Sequence, residues 1–155
     1  MKSLSTLALA TLATAAFANS ASAYTLSPTS TAFVAKGLAA VTLPAGGVVN
    51  CNLTFKGKTT TAGKAKITTV TITPGISACS TSTAGNLPWG VSAVSATAAK
   101  ITNVTLITPL GTAGPATVKF SDNASGVWTI TNASLAGGYK LNVTMTTTPA
   151  ITIAP

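Results

Sequence analysis

The chain has 155 residues, carries nine lysines and no arginine, and has Asp122 as its one acidic side chain. It also lacks histidine and glutamate. General acid–base catalysis usually relies on histidine or paired carboxylates, and metal centres rely on clusters of histidine, cysteine or carboxylate, so this composition excludes most enzyme classes. A Ser–Lys pair is still possible, but no Ser-x-x-Lys site is present. We predict a protein that is not an enzyme, with no catalytic residue, no metal site and no cofactor.

The first 23 residues are typical of a secretory signal peptide. Lys2 provides the basic start, residues 4–17 form an apolar run, and Ala21-Ser22-Ala23 is typical of a cleavage site. We therefore expect a bacterial protein that is secreted to the extracellular space after cleavage, with one domain over residues 24–155. No later stretch is long and apolar enough to predict a transmembrane segment.

The mature chain is rich in Thr and Val, which favour strands because a branched β-carbon fits a pleated surface. Short runs of these residues are separated by Gly, Pro, Asn or Ser, and helical apolar spacing is missing, so any helices should be single turns. This pattern predicts an all-β fold, namely an antiparallel β-sandwich (Ig-like or jelly-roll-like) of about ten short strands. Because aromatic residues make up only 5% of the chain, we expect a thin core.

In chain order, the first two predicted strands are 31–35 and 38–43, joined around Gly37. The later predicted strands are 48–58, 64–73, 89–98, 101–108, 116–121, 127–133, a strand around 141–145, and 150–154. Segments 81–86 and 109–115 are predicted to be connections. In the strand 48–58, apolar and polar residues alternate, which predicts one buried and one solvated face.

Cys51 and Cys79 are the only cysteines of the chain. In an exported protein, a lone pair of cysteines predicts a disulfide, which would stabilise the fold by about 3.5 kcal/mol on the chain-entropy model. A reactive or metal-binding thiol pair is the alternative, but no histidine or basic cluster supports it. Trp89 and Trp128 are predicted to be core residues rather than exposed contacts, because large side chains are scarce.

Four stretches carry a resemblance to a known family: Cys51, Leu87-Pro88-Trp89, the segment from Asn132 to Gly138, and Thr148-Pro149-Ala150-Ile151-Thr152. With them, the whole mature chain resembles the bacterial activators of alkane oxidation, the PraB-like proteins. The resemblance implies a small secreted protein that is linked to growth on long alkanes, helps to disperse hydrocarbon and is not known as an enzyme.

The chain departs from this family at a second cysteine pair. Members often carry one cysteine before a Gly-Pro and one after a Gly-Gly, where this chain reads Ala113-Gly114-Pro115 and Gly137-Gly138-Tyr139. The C-terminal half would then lack a covalent link, which bears on both its stability and its function.

Two functional hypotheses follow. In the first, a weakly polar Thr/Ala-rich face adsorbs at an oil–water boundary, so that the partners are hydrocarbon or the cell-surface interface. In the second, the protein is a self-assembling subunit of an extracellular fibre or biofilm matrix, a homo-oligomer or filament in which a segment such as 24–34 adds to a neighbour's sheet edge. No individual residue is predicted to bind a ligand.

The lysines are spread along the sequence. Their charge favours anionic surfaces, but the simpler interpretation is that they keep a Thr-rich surface soluble and protect sheet edges. They are not interleaved with aromatic residues, so no nucleic-acid specificity is expected.

Overall fold

The computed structural model describes residues 23–73 and 77–155, so the predicted signal peptide lies almost entirely outside the described residues. The described part forms eleven strands and two single-turn helices. The elements are β1 (Thr25–Ser27), β2 (Ala32–Thr42), β3 (Val48–Thr59), β4 (Ala65–Thr73), α1 (Ser77–Ser80), β5 (Thr83–Gly85), β6 (Trp89–Ser95), β7 (Ala98–Thr108), β8 (Gly111–Asp122), β9 (Val127–Ser134), a 3₁₀ turn (Ala136–Gly138), β10 (Lys140–Thr148) and β11 (Thr152–Ala154).

The fold is all-β, but the predicted sandwich is wrong, because the main sheet closes on itself. Eight strands form an antiparallel barrel in the order β2-β3-β4-β6-β7-β8-β9-β10, and β10 pairs with β2 to complete the circle. The closure depends on β2, which pairs along its length with β3 on one side and β10 on the other. Alternating apolar and polar residues are common to barrels and sandwiches, so the pattern alone does not distinguish them.

β2 is one continuous strand, whereas the sequence predicted a break at Gly37. The glycine lies within the strand, opposite Met145 of β10. A Cβ at this position would collide with the carbonyl oxygen of Thr144 and with Met145, so only glycine permits this close approach of the two backbones. The glycine therefore contributes to barrel closure rather than to a turn.

Two predicted connections also contain strand. Residues 109–115, expected to be a link, mostly belong to β8. Within 81–86, the short strand β5 pairs with β7, next to the position where β6 begins. Propensity at these positions favours turns, and pairing with an existing strand overrides it.

One end of the barrel, which we term the closed end, is covered by a ribbon of β1 and β11. Leu26 of β1 and Ile151 beside β11 are fully buried beneath this ribbon. The backbone N–H of Ile153 donates to Oδ2 of Asp122 at 3.0 Å, which attaches the ribbon to the end of β8. The hairpin turns after β3, β6 and β8 lie at this end.

Aromatic side chains fill the half of the barrel next to the closed end. The ring of Trp128 lies with its centroid 5.5 Å from that of Phe33 and 4.6 Å from that of Phe120. Its indole N–H donates to the carbonyl oxygen of Ile151 at 3.2 Å, so the buried polar group is satisfied. Trp89 is equally buried, and the prediction that both tryptophans belong to the core is confirmed.

Candidate apolar binding cavity

The other end of the barrel, which we term the mouth, opens into a cavity of about 460 Å³. On β3, the inward residues Val49, Cys51, Leu53 and Phe55 line one wall of it. The remaining walls come from β2 (Ala39, Val41), β4 (Ile72), β7 (Ile101, Val104, Leu106), β8 (Val118), β9 (Ile130) and β10 (Leu141). No charged side chain of the described residues lines this space.

Side-chain size explains why the cavity exists. An eight-stranded barrel has an interior that its own side chains can just fill, or that can hold one small ligand. Here the phenylalanine and tryptophan rings of the described residues lie toward the closed end, whereas the mouth half of the cavity is lined largely by Ala, Val, Leu and Ile. The sequence showed this only as a scarcity of large residues. It did not indicate the cavity, because the strands that surround it are distant in the chain.

Phe55 and Trp89 form the floor of the cavity. Their rings pack edge to face, with centroids 5.7 Å apart and an angle of 85° between the planes. The indole N–H of Trp89 donates to the carbonyl oxygen of Gly85 at 2.8 Å, so its one polar atom already has a partner. The floor therefore offers a ligand only apolar ring surface.

The polar lining residues lie at the mouth and comprise Thr81, Ser82 and Thr108. The hydroxyl of Thr108 donates to the carbonyl oxygen of Gly111 at 2.8 Å and accepts from the N–H of Leu110 at 3.2 Å. It also lies 3.2 Å from the Tyr139 hydroxyl. The deeper cavity has no polar anchor. Since a carboxylate or hydroxyl buried without a partner is unfavourable, the cavity suits neutral apolar molecules.

The predicted disulfide between Cys51 and Cys79 is confirmed, with the two Cα atoms 5.6 Å apart. It links the inward face of β3 to α1, the single turn that precedes β5. Because β6 starts only opposite Ile67, the wall near the mouth between β4 and β7 is completed by the chain segment that includes α1 and β5. The disulfide thus anchors one wall of the cavity.

The lysines are distributed unevenly over the folded barrel. The adjacent strands β2, β3 and β4 carry four exposed lysines, namely Lys36, Lys56, Lys58 and Lys66. Lys58 of β3 lies directly opposite Lys66 of β4. Around the barrel, Lys100 pairs with Lys119 in the same way. Since a closed barrel has no edges, protection of sheet edges does not explain these positions.

Cys51 and Cys79 were the only site residues predicted from the sequence, and the structure brings them together. In the part of the chain that is described, no group of three or more His, Cys, Asp or Glu residues could hold a metal ion. The helices of the described residues are too short to cross a membrane. The expectation that the protein has no catalytic residue and no cofactor stays a prediction.

The fold and cavity define a small antiparallel barrel with an apolar interior site. Over residues 1–155 the sequence matches the family described as alkane oxidation protein activator PraA/PraB-like. The chain therefore belongs to this family, and the resemblance noted from its motifs is confirmed. No curated protein and no solved structure matches the chain.

The segments that contain Ala113 and Tyr139, the two positions compared above with a second cysteine pair, approach each other in this fold. A Cβ at Gly137 would be 3.6 Å from the carbonyl oxygen of Thr112, next to Ala113. Buried Tyr139 lies with its hydroxyl 3.2 Å from the Thr108 hydroxyl. This noncovalent contact joins the β9–β10 connection to the β7–β8 turn at the mouth.

Proposed function

We propose that this protein aids alkane use as a secreted, non-enzymatic carrier that holds a hydrocarbon chain inside its barrel and thereby disperses hydrocarbon in water. The observation that carries the proposal is the cavity of about 460 Å³, which is lined by apolar side chains and by no charged side chain of the described residues. Membership of a family of alkane oxidation activators supports the choice of ligand.

The cavity volume suits a medium-length alkyl chain. One water molecule occupies about 30 Å³ of the liquid and a methylene group is of similar size, so the cavity has room for on the order of ten to fifteen methylene groups. Transfer of each methylene from water to an apolar site is favourable by about 0.8 kcal/mol. The free energy of moving the hydrocarbon from its bulk phase into the cavity is close to zero, because both environments are apolar. A loaded barrel would therefore raise the amount of hydrocarbon in water up to the protein concentration.

The earlier hypothesis of a coat at the oil–water boundary is compatible with this carrier, since both act on hydrocarbon without chemistry. The fibre hypothesis has less support. The segment 24–34, which would have to pair with a neighbouring molecule, is largely used within its own chain. β1 pairs with β11, and the start of β2 pairs with the end of β3. Filament formation stays a prediction that electron microscopy of secreted material tests.

A binding measurement tests the carrier directly. Purified mature protein is equilibrated with n-dodecane, separated from free hydrocarbon by gel filtration, and extracted for gas chromatography. We expect close to one dodecane per protein, together with a change in tryptophan emission because Trp89 lines the cavity. Recovery of no more dodecane than a protein of equal size without a cavity would reject the proposal. Detection of the mature chain in culture supernatant tests secretion.

A further inference from the structure

We infer that the apolar rim of the mouth is the port through which the barrel loads, and that the protein docks mouth-first on the surface of a hydrocarbon droplet; this inference rests on the proposed function. We define the rim as Val48, Ile107 and Leu110. Alkanes scarcely dissolve in water, so a cavity that takes them up efficiently must meet the hydrocarbon phase directly.

Among the described residues, seven large apolar side chains are exposed, and three of them, including the most exposed, lie at the mouth. Leu110 is 68% exposed, Val48 is 58% exposed and Ile107 is 45% exposed. Val48 begins β3, Ile107 is the penultimate residue of β7, and Leu110 lies in the turn between β7 and β8. Leu110 also lines the cavity. At Leu110, apolar surface therefore extends from the outside of the molecule into its interior.

Most charged side chains lie toward the closed end, away from the rim. Of the eight lysines in the described chain, all except Lys140 lie nearer the closed end by their position along the strands. Asp122, the one acidic residue, also ends a strand there. Ammonium and carboxylate groups are strongly hydrated, so contact with hydrocarbon is least unfavourable when the closed end faces water. Mouth-first docking satisfies this condition.

Other occupants of the rim fit less well. An anionic membrane would attract the lysines and so would turn the closed half, not the mouth, toward the lipid. A second copy seated mouth to mouth would seal both cavities from the hydrocarbon they are proposed to take up. A hydrocarbon surface is the partner that is consistent with both the exposed rim and the position of the charges.

The test compares two double variants with similar loss of exposed apolar surface. The rim variant carries Val48→Ser and Ile107→Ser, and neither residue lines the cavity. The control variant carries Leu38→Ser and Val94→Ser. Leu38 is 61% exposed on the barrel wall, and Val94 is 50% exposed toward the closed end. Each protein is mixed with n-hexadecane droplets of known area, and the protein that stays in the water phase is measured.

We expect the rim variant to lose about tenfold in affinity for droplets, because each serine removes exposed apolar surface that the hydrocarbon would cover, and the control to stay near the wild type. In water without droplets, all three should bind the fluorescent probe N-phenyl-1-naphthylamine with similar affinity, because the cavity is unchanged. Equal loss in both variants, or no loss in the rim variant, would overturn the inference. Preferential adsorption of the wild type to anionic vesicles over droplets would do the same.

The probe separates this inference from the proposed function. A wild type that adsorbs through its rim but binds neither probe nor dodecane would refute the carrier and leave the docking surface intact. If the rim variant misfolds, a dye attached to an otherwise unchanged barrel tests the inference instead. A polarity-sensitive dye attached at Val48→Cys should shift to the blue on droplets, whereas the same dye at Val94→Cys should not.

Discussion

Leu38 and Ala39 are neighbours on β2 whose side chains lie on opposite faces of the barrel wall. Leu38 is 61% exposed on the outside, and Ala39 is 1% exposed and lines the cavity. The same substitution at the two positions therefore changes the interior volume in one case and the outer surface in the other.

Ala39→Phe should abolish or strongly reduce dodecane loading, because the new ring would occupy space that the ligand needs. Leu38→Phe is the matched control and should load normally. The measurement is bound dodecane per protein after gel filtration, with thermal melting to verify folding. Overpacking costs about 1–3 kcal/mol where no space exists, so a nearly unchanged melting temperature in Ala39→Phe would itself indicate that the ring enters the cavity. Equal loading by both variants would contradict the location of the site.

Reduction of the Cys51–Cys79 disulfide should lower the melting temperature by roughly 10 °C. The bond is worth about 3.5 kcal/mol on the chain-entropy model, and the unfolding entropy of a domain of this size converts that to roughly 10 °C. The chain has no other cysteine, so a reducing agent acts on this bond alone. Cys51→Ala/Cys79→Ala should match the reduced protein. An unchanged melting temperature would show that the wall segment is held without the disulfide.

Stability should fall as the pH rises from about 4 to about 7, and Asp122 should account for it. Desolvation by burial raises the pKa of Asp122 from its ordinary value of 3.8 to about 6, although backbone hydrogen bonds, first that from the N–H of Ile153, partly lower it. Between these two values the folded protein keeps a proton that the unfolded chain has lost, so the free energy of unfolding decreases with pH. The chain has no histidine or glutamate, so no other side chain titrates in this interval.

The variant Asp122→Asn should remove this pH dependence and be more stable than the wild type at pH 7, by about 1 kcal/mol once solvent screening is allowed for. Its amide oxygen can still accept from the N–H of Ile153, which donates to Oδ2 in the wild type. Thermal melts from pH 4 to pH 8 measure the effect. Identical pH profiles for the two proteins would exclude Asp122 as the titrating group.

Lys58→Thr should stabilise the barrel slightly. Lys58 lies directly opposite Lys66, and facing like charges on paired strands are unfavourable by about 0.2–1 kcal/mol. The gain in melting temperature should shrink as salt is added, because the pair is exposed. Lys140→Thr is the control, since Lys140 faces Thr42 and Ser134 and no lysine. A gain of the same size in both variants would indicate a general effect of net charge instead.

Local patterns predicted the all-β class, most of the strand positions, the disulfide and the buried tryptophans. The alternation from Val49 to Phe55 depends only on neighbouring residues, and the side-chain period of a strand is a local property. The cysteine pair was equally clear, because no other partner was available for either residue. Family membership also followed from short motifs.

Closure, the cavity and the mouth were decided by contacts between distant residues. The sequence alone determined that strands form and which side of each strand is apolar. Only the tertiary structure decided that β10 returns to β2, which turns a two-sided sheet into a barrel and places Ala39, Val104 and Leu141 around one space. The physical reason is that side-chain alternation is set residue by residue, whereas an enclosed volume depends on how many strands close and on which large side chains happen to meet inside.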